Sequence, residues 1–426
     1  MLQIQIIREN PEAIIKGLEK KHFFEAESKI QAILSLDTQR RELQKQQDDK
    51  LFQSNQISKQ IGTLMKEGKK EEAEKAKQEA KQLSEEAKIL VEKFSTLEQE
   101  MEQLLLSIPN VPSPKVPEGK SSEDNEIVYT FGQIPDLEAN ALPHWELIQK
   151  YDIIDFELGN KVTGAGFPFY KGKGAKLQRA LINFFLDEAE KAGYFEVQPP
   201  ILVNKDSGFG TGQLPDKDGQ MYHATVDDFY LIPTAEVPIT NIYRDVILEL
   251  KNLPIKNVGY TPCFRREAGS WGADVRGLNR LHQFDKVEIV QIQHPEKSYE
   301  TLEEMRGYVQ SLLEKLELPY RVLKLCGGDM SFTSALTYDM EVYSAAQKRW
   351  LEVSSVSNFE SYQANRLKLR FRTEDKKTQL LHTLNGSALA LPRIVAAILE
   401  NNQMAEGIKI PKVLQSYTKF DMIGEE

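Results

Sequence analysis

The stretch Thr261-Pro262-Cys263-Phe264-Arg265-Arg266-Glu267-Ala268-Gly269-Ser270 decides the fold, together with the run after a polar loop, Arg276-Gly277-Leu278-Asn279-Arg280-Leu281-His282-Gln283-Phe284-Asp285-Lys286-Val287-Glu288. It reads as strand, long loop, strand, with no helical period between the apolar runs, so the two strands pair antiparallel. Strands are expected over Val258–Arg266, Lys286–Ile292 and Met340–Tyr343, and helices over Ala175–Ala192 and Ser298–Leu318. Strands joined by loops rather than by alternating helices specify an antiparallel sheet with flanking helices, an α+β body. Arg265 and Glu267 are two apart and share one face of an extended strand. A guanidinium fork there suits a phosphate or a carboxylate, the Glu can accept from an exocyclic amine, and Phe284 on the partner strand can stack on a base. A cross-strand ion pair on a solvated face is the rival account of the same residues.

Upstream the chain changes character. Between Gly68 and Pro109 there is no Gly or Pro, and Ala73, Ala76, Ala80, Leu83, Ala87, Leu90, Phe94, Leu97, Met101 and Leu104 follow in alternating steps of three and four, a coiled-coil seam. Leu36, Leu43, Ile57, Ile61 and Leu64 fit one heptad frame before it, with Arg40, Gln47, Lys50 and Ser54 at its other positions. Lys66-Glu67-Gly68-Lys69 reads as a tight turn, Gly supplying a positive φ. The segments about 28–66 and 69–106 then fold back as an antiparallel helical hairpin, each helix about 57 Å long. The first carries seven Lys/Arg against four acids, the second seven Lys against ten Glu, so the first better suits a phosphate backbone. A dimerisation rod or spacer is an equal reading of the pattern. The prolines of Ile108–Pro117 stop the helix, and 109–140 reads as a linker between an N-terminal domain, 1–108, and a body, 141–426.

Composition excludes several classes. Lys+Arg total 54 against 64 Asp+Glu, a formal charge of −10, which argues against indiscriminate binding to nucleic acid or anionic membrane. No run approaches the roughly 18 apolar residues of a membrane span, and Met1-Leu2-Gln3-Ile4-Gln5 lacks a secretory pattern, so a cytoplasmic protein is expected. Cys263 and Cys326 are too few for a disulfide framework or a thiolate zinc site, and the six histidines show no metal-ligand spacing. Phosphate-loop, dinucleotide and hydrolase-elbow motifs are missing, and Lys171-Gly172-Lys173-Gly174 is only a basic turn.

The opening stretch resembles motif 2 of the class II aminoacyl-tRNA synthetases, and specifically of the seryl-tRNA synthetases. The likeness runs through the whole chain in order. Arg179 to Pro200, a helix followed by Tyr194-Phe195-Glu196-Val197-Gln198-Pro199-Pro200, resembles motif 1. Thr234-Ala235-Glu236 matches the serine-contact tripeptide, and Glu352-Val353-Ser354-Ser355-Val356-Ser357-Asn358 matches the E-I-S-S-x-S-N stretch. Asn385-Gly386-Ser387-Ala388-Leu389-Ala390-Leu391-Pro392-Arg393 resembles motif 3, at the start of a helix running to Glu400.

The resemblance implies an antiparallel-sheet catalytic domain and a ligase that activates L-serine with ATP, releases pyrophosphate and transfers serine to the 3′ end of tRNA(Ser), with the selenocysteine tRNA a further candidate. Arg265 would bridge the α-phosphate and the serine carboxylate. Glu267 and the backbone near Leu281 would hold the adenine, with Phe284 stacked on it, and Arg266 would belong to the ATP site. Arg393 would take the γ-phosphate and the other face of the base. Glu352, Val353, Ser354 and Ser355 would line the ATP site, Glu352 and Ser355 as ligands of Mg²⁺. Thr234, Ala235, Glu236, Glu288, Asn385 and Ser387 would form the serine pocket. No zinc is implied. The arm would grip tRNA, and motif 1, about 179–200, would build a homodimer in which one subunit's arm serves its partner's active site. In-line attack of a carboxylate on phosphorus needs positioning and charge neutralisation more than a catalytic His or Cys. Rejecting alanine needs polar groups that must pair with the serine hydroxyl.

Three departures from the family pattern stand out. Arg266 replaces a small residue, and strand alternation points it to the opposite face. Ala388 and Pro392 replace glycines, Pro392 comfortably in a first helical turn. Ser354, Ser357 and Asn358 can equally satisfy a buried turn, Thr234 after Pro233 can be a turn residue, and Met330–Ser334 reads as packing. Two other functions remain compatible with parts of the pattern: a relative that charges a non-tRNA carrier, which would lack the long arm, and a non-catalytic RNA-binding relic, which would have lost Arg265, Glu267, Glu352 or Arg393.

Overall fold

The computed structural model describes residues 1–216, 218–268 and 276–424, so Gly269 and Ser270 of the opening stretch lie outside the described residues. The chain divides into two compact units, Met1–Pro109 and Asn110–Glu426.

In the first unit α1 (Ala26–Lys66) and α2 (Lys70–Leu106) form the hairpin, joined through Gly68 at φ +80°. At 41 and 37 residues they are about 62 and 56 Å long. The seam follows the heptads: Leu36, Arg40, Leu43, Gln47, Lys50, Ser54, Ile57, Ile61 and Leu64 are all half-buried, and Ala73, Ala80, Ala87 and Leu90 opposite are buried. The polar seam positions find partners across the pair. Ser54 Oγ donates to the Ala80 carbonyl, Lys50 bonds Glu86, and the Arg40 guanidinium lies over Phe94. At the root two short helices, Ile4–Glu9 and Pro11–Lys20, add Ile7 and Leu18 to Ile30 and Ile33. There Asp37, 1% exposed, accepts from Arg8, Arg40 and Arg41.

The second unit is built on an eight-stranded sheet. Its strands are β1 (Glu126–Phe131), β2 (Phe195–Glu196), β3 (Ile255–Phe264), β4 (Gln283–Gln293), β5 (Tyr320–Lys324), β6 (Leu336–Ser344), β7 (Arg349–Asn358) and β8 (His382–Ala390). The spatial order is β1-β5-β6-β7-β8-β4-β3-β2, antiparallel throughout except for β2 beside β3. Helices α3 (Gly172–Lys191), α5 (Ser298–Lys315) and α7 (Leu391–Asn401) cover one face. On the other, α4 (Glu236–Asn241) and α6 (Tyr362–Leu367) pack in a second apolar cluster. This is the expected α+β architecture.

Alternation along β4 explains the placement of the site. Val287 and Ile289 enter the main core, Val290 and Ile292 enter the cluster on the opposite face, and the even-numbered Phe284, Lys286 and Glu288 share that opposite face. Glu288 stands opposite Gly259 of β3, where an added Cβ would meet the Val197 carbonyl at 2.8 Å, so the close approach of the segment after β2 to β3 requires glycine.

Two expectations are corrected. The segment 109–140 is not an irregular linker throughout: the Asn110 amide donates to the Thr333 and Phe359 carbonyls, Val116 is buried in the main core, and β1 pairs with β5 as an edge strand. The first motif 2 strand ends at Phe264 rather than at Arg266, and Glu267 has φ +49°, so Arg265, Arg266 and Glu267 lie in a turn where strand alternation no longer assigns faces.

Candidate active site

On the face of β4 and β8 opposite the main core, acids and hydroxyls surround a buried ammonium. Thr234 precedes α4 and Glu236 opens it; both are 6% exposed. Glu288 and Ser387 are opposite one another on β4 and β8. Ser387 Oγ donates to Glu288 Oε2 at 3.4 Å, and the same oxygen takes the Lys286 ammonium at 2.6 Å. Lys286 Nζ also donates to Thr234 Oγ1 at 2.8 Å. Removing one partner from so buried a pair costs about 3–5 kcal/mol, because the other charge is left alone. Glu236 Oε1 accepts from Gln363 Nε2 at 2.6 Å, and Asn385 bonds its side chain as well. Burial, then the neighbouring Glu288 charge, pushes Glu236 up to about 7, against the opposing pull of Gln363, Lys286 and Asn385.

A second cluster borders β7 and the loop returning to β4. The Arg265 N–H donates to the His282 carbonyl at 2.9 Å, and its guanidinium lies 5.3 Å from the centre of the Phe284 ring. It makes no ion pair among the described residues. Glu267 Oε2 accepts from Arg280 Nη1 at 3.0 Å. Arg393, on the first turn of α7, donates from Nε to the Asn279 carbonyl at 3.0 Å and from Nη1 to the Glu352 carbonyl at 2.7 Å. The Glu352 carboxylate is 3.8 Å from Nη1. Burial pulls the Arg393 guanidinium below the usual arginine value, and Glu352 opposes that. Behind Glu352, Asp339 bonds Ser355 and keeps one carboxylate oxygen buried without a partner. Burial and the Glu352 charge hold Asp339 well above the usual carboxylate range.

The residues singled out in the sequence therefore separate into groups. Thr234, Glu236, Glu288, Asn385 and Ser387 come together, as do Arg265 with Phe284, Glu267 with Arg280, and Arg393 with Glu352. Four do not present side chains to the cluster. Val353 and Leu281 belong to the main core, Ala235 belongs to the second apolar cluster, and Ser354 Oγ is spent on the Ser387 carbonyl at 2.5 Å. Arg266 is exposed, and its N–H bonds the Gln220 carbonyl. Sequence reasoning missed Lys286, although its spacing from Glu288 signals a shared strand face. It also missed Asp339 and a buried support under Arg393. There His144 Nε2 accepts from the Leu278 N–H at 2.9 Å, and its Nδ1 pairs with Glu400 at 2.7 Å. Gln347 links Glu400 to Asn279, whose carbonyl holds Arg393. With Nε2 accepting, Nδ1 is the ring nitrogen that donates to Glu400.

An antiparallel sheet with one arginine just past the end of β3 and a second on the helix that follows β8 is the arrangement of a class II aminoacyl-tRNA synthetase. The comparisons agree: residues 222–402 match the family "tRNA synthetase class II core domain (G, H, P, S and T)", and residues 1–112 match the "Seryl-tRNA synthetase N-terminal domain". The serine–tRNA ligase of Salinibacter ruber is 51% identical over 428 residues, with all of both chains aligned. The seryl-tRNA synthetase of Pyrococcus horikoshii, solved with ATP, superposes with a TM-score of 0.94 at 34% identity over the full length of both. The cytoplasmic serine–tRNA ligase of Naegleria fowleri, solved with AMP, gives 0.89 at 27% identity, covering 100% of this chain and 99% of that one. The chain belongs to the seryl-tRNA synthetase family, ligases that activate serine with ATP and load it onto tRNA.

Proposed function

We propose that the two clusters divide the activation reaction between them, the acid–hydroxyl pocket holding serine and the arginine cluster holding ATP. The observation that carries this reading is the meeting of Thr234, Glu236, Glu288 and Ser387 on the face of β4 that also bears Phe284, over which Arg265 lies. Glu288 pairs with the substrate ammonium, and Glu288 with Ser387 pairs with its hydroxyl. An alanine would leave those groups unpaired. The serine carboxylate, held by Arg265, attacks the α-phosphorus in line; the bond to pyrophosphate breaks, and Arg265 and Arg393 neutralise the charge that develops. Glu267 and Phe284 hold the adenine. A hydroxyl at the tRNA 3′ end then takes the seryl group, and AMP leaves. The chemistry therefore rests on positioning and preorganised charge.

Mg²⁺ is read at the Glu352 carboxylate and the Ser355 hydroxyl; the support is Asp339, which bonds Ser355, feels the Glu352 charge and keeps one oxygen without a partner. Bound there, the ion would offset phosphate charge and help hold the triphosphate. The arm is read as the tRNA grip, α1 bearing the basic excess. The homodimer is read at motif 1, where a cleft of about 530 Å³ is lined by Gln178, Arg179, Ile182, Leu186 and Val197, and Phe195 on the edge strand β2 is 71% exposed. No helix among the described residues is long and apolar enough to cross a membrane.

The test is amino-acid-dependent ATP–pyrophosphate exchange with serine, threonine, alanine and glycine in parallel. Exchange that requires serine supports these assignments. Exchange driven by another amino acid keeps the fold and overturns the pocket.

A further inference from the structure

The serine pocket holds a charge for which the activation chemistry gives no role. Lys286 leaves β4 on the same face as Glu288, is 5% exposed, and places its ammonium on Glu288 Oε2 at 2.6 Å and Thr234 Oγ1 at 2.8 Å. A lysine ammonium and an α-ammonium are the same kind of donor, three N–H bonds on one positive nitrogen. Lys286 thus occupies oxygens that the reading above gives to serine. Glu236 completes a pair of carboxylates, close enough to both Glu288 and Lys286 to feel their charges. With both acids ionised, one resident cation leaves a single negative charge open, matching the one positive charge of an amino acid's ammonium. The substrate carboxylate is answered separately by Arg265.

We propose that Lys286 is the resident counter-ion of the amino-acid pocket, holding Glu288 and Thr234 through the contacts an α-ammonium uses, so that it sets the affinity for serine. This rests on the serine-pocket reading above.

The charged surroundings of Glu236 are few. β4 offers Lys286 and Glu288, and β3 brings Cys263, with Arg265 just past its end, to the same charges. Gln363 of α6 and Asn385 and Ser387 of β8 add only neutral hydrogen bonds. The helix Lys205–Thr211 packs on α4, and its Lys205 and Asp206 are exposed. Lys286 is therefore the cation bonded to this pair, and its removal leaves Glu236 facing the Glu288 charge with less to offset it, which raises Glu236 further.

Wild type, Lys286→Met and Lys286→Gln are compared by serine-dependent ATP–pyrophosphate exchange between about pH 6 and pH 9. Both variants should raise the serine KM about tenfold near neutral pH, leave the ATP KM within about twofold, and move the acid limb of kcat/KM for serine up by about one pH unit. KM and the position of the limb do not depend on the fraction of active protein, so partial misfolding does not imitate the result. Equal rises in both KM values, or a serine KM and limb unmoved in either soluble variant, overturn the role of Lys286. Wild-type exchange that does not require serine overturns the pocket reading instead.

Discussion

Replacing Glu236 by Gln tests the electrostatics of the pocket with no substrate present. An ordinary glutamate titrates at 4.5, whereas burial and the Glu288 charge hold Glu236 near 7 in the folded protein. Below about pH 4.5 both the folded and unfolded chains keep this proton, and stability is unaffected. Between 4.5 and 7 the unfolded chain has lost it and the folded protein has not, so stability falls as pH rises; above 7 the whole penalty is present. The interval from 4.5 to about 7, at about 1.4 kcal/mol per pH unit, amounts to about 3 kcal/mol. Glutamine keeps an oxygen for the Gln363 amide, which donates at 2.6 Å, and removes the charge. Glu236→Gln should therefore match wild type near pH 4.5 and exceed it by up to about 3 kcal/mol near pH 8, while its serine KM rises. Urea titrations at four pH values, compared through midpoint and slope, measure the difference. A difference that stays flat with pH, or that turns against the variant above pH 7, would refute this account of the buried acid.

Three further outcomes follow from the same geometry. Arg265→Lys removes the planar fork and should lower kcat/KM for exchange by about 100-fold or more, with the loss mainly in kcat. His144→Ala removes the acceptor of the Leu278 N–H and the partner of Glu400, and so loosens the carbonyl that holds Arg393 Nε. The ATP KM should rise about tenfold with the serine KM nearly unchanged, read in the same exchange assay. Deleting residues 28–106 should leave serine-dependent exchange intact and abolish tRNA charging, since the sheet that carries the site lies wholly within Asn110–Glu426.

What the sequence made legible depended on the range of the cause. The hairpin rests on periods of three and four within single helices, and even the polar seam positions Arg40, Gln47, Lys50 and Ser54 fall half-buried in register. The pairing of β3 with β4 was visible because both strands lie within one stretch, and the site residues because their motifs carry them. The edge strand β1 was not visible: its side chains are mostly exposed, and it exists because β5, some two hundred residues later, pairs with it. The common face assigned to Arg265 and Glu267 failed at one backbone angle, φ +49° at Glu267, which no alternation rule anticipates. Lys286 was hidden by a sound prior, since lysine is rarely buried without a partner, and its partners Glu288 and Thr234 become evident only once β4 and the turn before α4 are brought together. The support under Arg393 joins His144 to Glu400 across 256 residues of chain, beyond the reach of any local pattern.

The charges of the site are held by the protein's own groups, and the way they are held bears on how it works. Arg265 rests on an aromatic ring, Arg393 on two main-chain carbonyls, and Lys286 on one carboxylate and one hydroxyl. Arg265 thus sits on a partner weaker than a carboxylate or phosphate. A cation over a ring is worth about 0.5–2 kcal/mol, and bonds between two ionised groups are roughly twice as strong as those between neutral ones. Binding is then largely an exchange of partners at charges already in place, with little side-chain ordering left to do. For a reaction that needs no proton-transferring side chain, this is where catalytic power resides, because dipoles and charges fixed before the substrate arrives do not have to reorganise as charge develops on phosphorus. Lys286 differs from the two arginines in the closeness of its carboxylate, 2.6 Å against 3.8 Å for Arg393 and Glu352, and that stronger bond suits a group that stays when serine enters.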